Sequence, residues 1–278
     1  MFNSLRQLYR GPYNRQYPFF ALQRYLLWKT IRLFRLKNVT YSIWSNKKIN
    51  LNYNSLQSAW LMYNYWVDWE EFNLIKDVLR PSDIVFDIGA NMGFYTIWMS
   101  KFINSSGKIH SFEPDYKSYG RLLKNIELNN IQDFVNANRM AVSNNIGMVK
   151  FSEGLDGENH IINKTENNYE IISCTTIDQY VFDNQIKKIK YIKIDIEGFE
   201  YQALSGAIQT LTNGVVDIFQ IEINSQIHNS ATPVNDLLKF IEGTQYKLCS
   251  YNIPDKKFEP IDYSISRDNY FMVKTLVL

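Results

Sequence analysis

A glycine-rich turn between an apolar strand and a helix is the feature of this sequence that most restricts its fold. The apolar run 83–88 ends in Asp87 and Ile88, Gly89 and Gly93 follow it, and the next residues predict a helix up to about residue 102. A strand, a turn and a helix in this order form the βα unit of a parallel sheet, because parallel strands need a crossover connection. Ligands of such sheets bind at the carboxyl ends of the strands. The turn therefore predicts an α/β fold and marks a candidate ligand site.

The rest of residues 68–278 continues this alternation. Further strands are predicted over 108–113, 134–142, 148–152, 191–196, 217–223, 246–251 and 270–274, and further helices over 70–79, 116–129, 199–211 and 233–243. The last two strands have no helix between them, which favours an antiparallel hairpin at one edge of the sheet. We therefore expect residues 68–278 to form one Rossmann-like domain, with a mostly parallel sheet and helices on both faces.

Residues 1–67 differ from the rest of the chain in charge. They contain ten basic residues and no acidic one, whereas residues 68–278 contain 20 basic and 28 acidic residues. On a helical projection of residues 22–37 the larger apolar side chains share one arc, and Arg24, Trp28, Arg32 and Arg35 form a stripe that faces away from it. A basic, aromatic extension of this kind can pack on the acidic body or lie at an anionic membrane next to a lipid-linked substrate. A nucleic acid or protein partner is the less favoured alternative.

Cysteine, histidine and charge patterns exclude several classes of protein. The two cysteines, Cys174 and Cys249, are far apart, and the three histidines are isolated, so no disulfide framework and no zinc-binding spacing is present. The most apolar early stretch, 18–37, carries five basic residues and cannot cross a bilayer. We therefore expect a cytoplasmic protein, with peripheral contact at the inner face of a membrane as an open alternative.

Two acidic residues at strand ends indicate a nucleoside cofactor. Asp87 lies near the end of the first strand, and Glu113 ends the second, where a carboxylate can accept hydrogen bonds from both hydroxyls of a ribose. The dinucleotide pattern GxGxxG is absent, because Asn91 stands between Gly89 and Gly93, and the GK[ST] pattern of triphosphate sites is absent as well. Asp87 would repel a pyrophosphate but suits the positive ammonium and sulfonium of S-adenosylmethionine. A tight turn without any ligand is the structural alternative.

Several motifs together resemble the FkbM family of S-adenosylmethionine-dependent methyltransferases. The matching segments are DIGANMGFYT at 87–96, FEP at 112–114 and KIDIEGFE at 193–200, with shorter matches at 125–129, 141–143 and 175–178. The resemblance covers about residues 68–275 and leaves the first 65 or so residues outside. It implies a class I methyltransferase sheet, S-adenosylmethionine as cofactor and methylation of a hydroxyl on a sugar, glycan or related small molecule.

The resemblance also gives each candidate site residue an expected role. The methionine end of the cofactor is expected at the first turn, on Asp87, Gly89, Ala90, Asn91, Gly93, Tyr95 and Thr96. Glu113, followed by Pro114, is expected to bind the ribose, and Met140 and Ala141 to lie against the adenine. Asp195, at the end of a later strand, is the expected general base or acceptor-positioning carboxylate beside the cofactor. Glu197 is the second catalytic candidate, although an acidic residue at a helix start is also favoured by the helix dipole.

Other interpretations of the same residues stay open at this point. A metal site formed by Asp195, Glu222 and Asn224 is the less favoured reading, and no metal is expected. A nucleotide-dependent oxidoreductase on a Rossmann sheet and a non-catalytic surface-binding protein that keeps the fold are the alternatives to a methyltransferase. The sequence does not predict the oligomeric state.

Overall fold

The protein is described here as a computed structural model. It covers residue 8 and residues 11–44, 46–65, 68–152, 161–162, 168–223, 233–264 and 267–275. The chain divides into two compact units, Met1–Asn73 (unit 1) and Leu74–Leu278 (unit 2). The predicted division into domains after residue 67 stays a prediction.

Unit 1 combines short helices with a β-hairpin. Its elements are α1 (Pro12–Gln16), α2 (Pro18–Leu33), β1 (Val39–Ile43), β2 (Lys47–Leu51), α3 (Leu56–Asn64) and the first half of α4 (Trp69–Val78). The two strands pair antiparallel, with Val39 opposite Leu51. Ser55 caps α3, because its hydroxyl oxygen accepts a hydrogen bond from the Ser58 amide at 3.2 Å. Within the described ranges, no helix is long and apolar enough to cross a membrane.

Helix α2 buries the face that was expected to point away from its apolar arc. Arg24 is 4% exposed and Trp28 is 1% exposed. The Arg24 guanidinium donates to Oδ1 of Asn14 and lies 4.6 Å from the centroid of the Tyr65 ring. Arg24 and Trp28 therefore face away from the apolar arc, as the projection indicates, but they lie on the packed side of the helix. Asn14 and Tyr65 make this possible for Arg24, because they provide a hydrogen-bond acceptor and an aromatic face for the buried cation.

Unit 2 contains an eight-stranded central sheet and a three-stranded sheet. Its elements after α4 are β3 (Ile84–Ile88), α5 (Phe94–Met99), β4 (Lys108–Phe112), α6 (Tyr116–Leu128), β5 (Val135–Asn138), β6 (Ala141–Val142), β7 (Gly147–Ser152), β8 (Tyr169–Thr175), α7 (Ile177–Asp183), β9 (Ile189–Ile194), α8 (Glu200–Ser205), α9 (Ile208–Thr212), β10 (Val216–Glu222), α10 (Val234–Glu242), β11 (Tyr246–Asn252), β12 (Lys257–Pro260) and β13 (Asn269–Lys274). The central order is β12-β11-β13-β10-β9-β3-β4-β5, and the small sheet has the order β6-β8-β7.

The pairing pattern confirms the predicted α/β fold with a mostly parallel sheet. Strands β10, β9, β3, β4 and β5 pair parallel with one another in this order. Strand β13 pairs antiparallel with both β10 and β11, so the last two predicted strands are antiparallel neighbours as expected. The outermost strand on that side is β12, which was not predicted and which pairs antiparallel with β11.

Two predicted elements are interrupted in the structure. The strand expected over 134–142 is split into β5 and β6, and β6 leaves the central sheet to pair with β8. The helix expected over 199–211 is split into α8 and α9 at Gly206 and Ala207. A Cβ on Gly206 would lie 2.2 Å from the carbonyl oxygen of Ser143. Only glycine therefore lets this segment pack so closely on the chain that follows β6.

The register of the parallel strands brings their carboxyl ends to one level. Ile88 of β3 lies opposite Phe112 of β4 and Ile194 of β9, and Ile194 lies opposite Ile221 of β10. These four side chains are at most 1% exposed. The residues that come next, Gly89, Glu113, Asp195 and Glu222, are therefore held side by side at one edge of an apolar core.

Candidate active site

The turn after β3 is held against the end of β9 by backbone contact. Gly89 has φ +80°, and a Cβ on it would lie 1.8 Å from the carbonyl oxygen of Asp195. The Asp195 amide in turn donates to the Ile88 carbonyl at 3.1 Å. Gly93 has φ +89°, and a Cβ there would lie 2.6 Å from Cδ1 of Leu122. Both positions therefore require glycine, one for the approach to Asp195 and one for packing of the turn on α6.

The amides of this turn are engaged inside the protein. Gly89 and Ala90 both donate to the Phe112 carbonyl, at 3.0 and 2.9 Å, and the Asn91 amide donates to Oε2 of Glu113 at 2.7 Å. We expected these amides to hold the methionine end of the cofactor. Because these three amides already have acceptors inside the protein, their expected contact with the cofactor stays a prediction.

Two side-chain amides complete the turn. Asn91 has φ +50°, and its Oδ1 accepts a hydrogen bond from the Met92 amide at 2.7 Å. Asn125, buried in α6, donates to the Met92 carbonyl at 2.8 Å. Asn91 stands where a pyrophosphate-binding loop would have its middle glycine, and its side chain stabilises a different turn.

Asp87 carries a buried oxygen that has no partner. Its side chain is fully buried, and its Oδ2 accepts a hydrogen bond from Oγ1 of Thr96 at 2.6 Å, while Thr96 also contacts Oγ of Ser111 at 2.7 Å. The Oδ1 atom has no hydrogen-bond partner among the described residues. Burial raises the pKa of Asp87, and the Lys193 charge opposes that rise. An unpaired buried carboxylate oxygen is costly unless a donor binds to it, and the ammonium group of S-adenosylmethionine is such a donor.

Glu113 connects the first two strand ends. It is 6% exposed, and its Oε2 and Oε1 accept hydrogen bonds from the amides of Asn91 at 2.7 Å and Asp115 at 2.9 Å. Burial raises the pKa of Glu113 to about 8. Each carboxylate oxygen has a further acceptor position, so binding of a ribose is compatible with these contacts. Pro114, the next residue, is buried.

Asp195 forms a cluster of ionisable side chains with Lys193 of β9 and Glu222 of the neighbouring strand β10. Nζ of Lys193 lies 2.9 Å from Oδ2 of Asp195, and the two side chains are 5% and 34% exposed. Glu222, at the end of β10, hydrogen-bonds to Asp195. Burial opposes ionisation of Asp195, but the Lys193 charge and the hydrogen bonds from Glu222 and Lys193 outweigh it and lower the pKa of Asp195. Burial and the Asp195 charge raise the pKa of Glu222 to about 10. At neutral pH the group is therefore a lysine cation, an Asp195 carboxylate and a protonated Glu222.

Lys193 is a site residue that was not predicted. Its Nζ lies 4.6 Å from the centroid of the Tyr95 ring, and the Tyr95 hydroxyl accepts a hydrogen bond from Nε2 of Gln220 at 3.0 Å. Tyr95 is 5% exposed and packs against the lysine, and its expected contact with the cofactor stays a prediction. The signal was present in the sequence: Lys193 and Asp195 are two residues apart, and alternate residues of a strand point to the same face.

The segment after Asp195 is a strained turn. Glu197 and Gly198 have φ +57° and +97°, and α8 begins only at Glu200. The expectation that Glu197 lies in the first turn of a helix was therefore wrong, and the helix dipole does not explain this residue. Glu200 is 1% exposed, and its Oε1 accepts hydrogen bonds from the amides of Ile196 at 3.0 Å and Gly198 at 3.3 Å. Positive φ at a residue with a side chain is costly, so buried Glu200 holds Glu197 in a conformation that the local chain disfavours.

The predicted adenine contacts lie next to the ribose carboxylate along the chain. The Glu113 amide donates to the Asn138 carbonyl at 3.0 Å, and Met140 and Ala141 come two and three residues after Asn138. Ala141 is 4% exposed and pairs with Cys174 in the small sheet, and Met140 is partly buried. Their contact with adenine stays a prediction.

Among the residues that the structure describes, no three His, Cys, Asp or Glu side chains are arranged to hold a metal ion. Asn224, considered above as a third oxygen ligand beside Asp195 and Glu222, lies outside the described residues. The group at the ends of β9 and β10 is instead organised around the ammonium of Lys193.

Comparison with known proteins places this arrangement in a family. The model of the methyltransferase FkbM domain matches residues 87–248. The hexuronic acid methyltransferase AglP of Haloferax volcanii is 22% identical over 167 residues, which are 59% of this chain and 67% of that protein. A crystal structure of an FkbM methyltransferase from Methylobacillus flagellatus KT is 17% identical, with a TM-score of 0.46 over 77% of this chain and 52% of that one. An O-methyltransferase from Bacillus cereus in complex with SAH is 15% identical, with a TM-score of 0.43 over 74% and 80%.

The matched region begins at Asp87 in the first turn and contains Glu113, Asp195 and Glu222. It spans more than half of the 278 residues. The chain therefore belongs to the FkbM family of S-adenosylmethionine-dependent methyltransferases.

Proposed function

We propose that this protein methylates a hydroxyl group of a sugar or glycan. The observation that carries the proposal is the group of Lys193, Asp195 and Glu222, which presents one ionised carboxylate beside the glycine turn. A hydroxyl acceptor needs a group that orients it and accepts its proton, and a carboxylate does both. AglP, a relative at 22% identity, is described as a hexuronic acid methyltransferase, which supports a sugar as the acceptor class.

The residues of the first turn would hold the cofactor. Oδ1 of Asp87 would accept a hydrogen bond from its ammonium, and Glu113 would accept hydrogen bonds from its ribose. Tyr95, Thr96 and Pro114 support these two carboxylates or line the space beside them, while Met140 and Ala141 are proposed to lie against the adenine. When bound, the cofactor supplies a methyl group on a positively charged sulfur, which is already activated for transfer to a nucleophile.

Asp195 is proposed to position the acceptor and to take its proton. The carboxylate accepts a hydrogen bond from the acceptor hydroxyl and fixes the direction of its lone pair. The hydroxyl would become strongly acidic as its oxygen takes the methyl group and the methyl–sulfur bond breaks to leave a neutral thioether, and Asp195 would accept its proton. A carboxylate with a lowered pKa is a weak base, but a weak base suffices for a proton that leaves late.

Lys193 and Glu222 are proposed to keep Asp195 in the required state. The lysine charge stabilises the carboxylate, and the protonated Glu222 donates a hydrogen bond to it. Because one proton resides on Glu222, Asp195 is ionised at neutral pH although two acidic residues are adjacent. Glu197 is proposed as a second acceptor-binding carboxylate, since its strained turn holds it beyond Asp195 at the same edge of the sheet.

The acceptor hydroxyl is proposed to be part of a free or lipid-linked glycan. The basic residues of 1–67 support a lipid-linked one, because they would favour contact with the inner face of an anionic membrane. The acceptor would then be presented to the cytoplasmic side.

Transfer of a labelled methyl group to uronic acids, neutral hexoses and lipid-linked oligosaccharides would test the proposal. We expect the label in an ether on a sugar oxygen, located by mass spectrometry. The variant Asp195→Asn should lower kcat by about 100-fold or more and should affect cofactor affinity much less. The exposed Asp133→Asn provides a matched control that should behave like the wild type. Label found on nitrogen or carbon, or equal rates in the two variants, would contradict the proposal.

A further inference from the structure

Helix α2 exposes an apolar arc that no described part of the chain covers. The helix buries Ala21, Arg24, Tyr25, Trp28 and Ile31 on one side. At about 100° per residue, the exposed apolar residues of α2 form one arc of roughly 160° on the opposite side. The apolar arc, with the two residues that follow the helix, consists of Phe19, Phe20, Leu22, Leu26, Leu27, Leu33, Phe34 and Leu36.

The exposure of this arc is large for apolar side chains. Phe19 and Phe34 are each 67% exposed, and Leu33 is 78% exposed. The polar residues inside the arc are few, and one of them, Thr30, turns its hydroxyl back to the Leu26 carbonyl at 3.0 Å. Helix α2 is apolar on its outer side as well as on its packed side, which indicates that the outer side contacts a second apolar environment.

The charge around the arc identifies that environment. Five basic residues are exposed on or beside the helix: Arg15, Lys29, Arg32, Arg35 and Lys37. Residues 1–67 contain no acidic residue that could neutralise them. At about 100° per residue, Lys29 lies at the edge of the arc, whereas Arg32 lies on the opposite side of the helix. An apolar arc on a segment with this excess of cations fits the boundary between the headgroups and the acyl chains of an anionic bilayer.

Other occupants fit the arc less well. A second copy of the chain would bring two strongly positive segments together, and their repulsion opposes such a dimer. A nucleic acid would satisfy the cations but would offer its phosphates to phenylalanine and leucine side chains. The helix cannot span the bilayer, because its arc is one-sided and its other face buries Arg24.

We propose that the apolar arc of α2 docks on the surface of an anionic lipid bilayer, with the helix parallel to the membrane plane. A 16-residue helix is about 24 Å long, which is enough to seat both ends of the arc at one surface. The inference concerns unit 1, so it goes beyond the proposed methyl transfer and can fail while that assignment stands.

Sedimentation of the full chain with lipid vesicles tests the docking. Vesicles of phosphatidylcholine alone would be compared with vesicles that contain roughly one-third phosphatidylglycerol. We expect binding to the anionic vesicles, with affinity at least about tenfold lower for the neutral ones and lower in high salt. The double variant Leu26→Gln/Leu33→Gln removes apolar contact without adding charge, and Lys29→Gln/Lys37→Gln removes the exposed charge beside the arc. Each should weaken binding about tenfold or more.

A leucine in the other unit gives the matched control. Leu123 is 44% exposed on α6, and Leu123→Gln should leave vesicle binding unchanged. All variants should keep the wild-type melting temperature and the wild-type rate of methyl transfer to a water-soluble acceptor, which separates a loss of docking from a loss of catalysis. Wild-type protein that binds neither kind of vesicle would overturn the proposal. So would a dimer, or a nucleic acid complex, that dissociates in Leu26→Gln/Leu33→Gln while vesicle binding is unchanged.

Discussion

Nζ of Lys193 lies 2.9 Å from Oδ2 of Asp195, and this ion pair sets the protonation of the candidate active site. Lys193 is in β9 and Asp195 directly follows that strand. Glu222, at the end of the neighbouring strand β10, hydrogen-bonds to Asp195. The lysine is 5% exposed, so its charge is poorly screened by water. Two acidic side chains can lie together here because one cation stabilises the ionised member of the pair.

Replacing Lys193 with methionine should move the acidic limb of the activity profile to higher pH. The lysine lowers the pKa of Asp195, so its removal raises that pKa, and the carboxylate becomes protonated at a higher pH. We expect a displacement of about one pH unit or more in the profile of kcat. The control is Lys190→Met on the same strand, because Lys190 pairs with Asp217 at 3.2 Å, near the start of β10. A profile for Lys193→Met that coincides with that of Lys190→Met would argue against this role.

Replacing Glu222 with glutamine should change the pH dependence of the protein's stability more than its catalytic activity at neutral pH. The pKa of Glu222 is about 10, well above its ordinary 4.5, so the folded state keeps a proton that the unfolded chain loses. This contribution to the free energy of unfolding is fully present below pH 4.5 and is lost as the pH rises towards 10. Glutamine cannot ionise but still donates a hydrogen bond, so Glu222→Gln should melt less readily than the wild type at alkaline pH.

The same pair of variants separates two roles of Glu222 in catalysis. Glu222→Gln should keep kcat within about tenfold of the wild type at pH 7, whereas Glu222→Leu should lose more because the hydrogen bond to Asp195 is gone. Equal and severe losses in both variants would mean that Glu222 must release its proton during the reaction. The melting temperature as a function of pH, recorded beside kcat, distinguishes the cases.

Glu113→Gln should weaken cofactor binding by about tenfold or more. Both oxygens of Glu113 accept backbone amides, and a glutamine would turn an NH2 group towards one of them. The turn after β3 would lose a contact, and the ribose would lose an acceptor. Calorimetric titration with S-adenosylmethionine measures the effect, and Glu127→Gln on the exposed side of α6 is the control. Unchanged affinity in Glu113→Gln would remove Glu113 from the cofactor site.

Wild-type affinity for the cofactor should also depend on the ionisation of Glu113. Burial raises its pKa to about 8, so the carboxylate that accepts the ribose hydroxyls becomes the major form only above that pH. We therefore expect the cofactor to bind more tightly as the pH rises from 7 to 9, with the midpoint of the change near the pKa of Glu113. A titration series over this range in Glu113→Gln should lack the dependence.

Gly89→Ala should unfold or strongly destabilise unit 2. The added Cβ would lie 1.8 Å from the Asp195 carbonyl oxygen, and alanine disfavours φ +80°. We expect a loss of about 3 kcal/mol or more in the free energy of unfolding, measured with urea. Gly120→Ala is the matched control, because a Cβ at that position in α6 meets nothing within 4 Å. It should be neutral or stabilising by about 1 kcal/mol. A small effect of Gly89→Ala would mean that the turn and β9 can move apart.

Much of unit 2 could be predicted because its signals are local. The residues from Asp87 to Gly93 predict the end of a strand, a turn and the start of a helix within a few positions. Glu113 and Asp195 each follow an apolar run that also predicts a strand. The parallel register then brings these carboxylates to one edge, whatever the loops between them do. Strand ends of this kind are found from sequence because burial and chain direction are both encoded nearby.

What could not be predicted depends on partners that are distant in the chain. Arg24 is buried because Tyr65, 41 residues later, provides an aromatic face, and no projection of α2 alone contains that information. The pairing of β6 with β8 removed residues 141–142 from the strand predicted over 134–142. The turn at Glu197 was not predicted for a different reason: the Glu200 side chain reaches back to the amides of Ile196 and Gly198, and the sequence pattern does not reveal this contact.

The contact between Gly89 and the Asp195 backbone has a consequence for how such enzymes can change substrate. The loop that would carry the methyl donor and the residue that would receive the proton are joined directly through this backbone contact. Residues around the acceptor could therefore be substituted, in evolution or by engineering, without a change in the distance over which the methyl group is transferred. Enzymes that keep this contact would share one reaction geometry, and residues outside it would determine which acceptor is methylated.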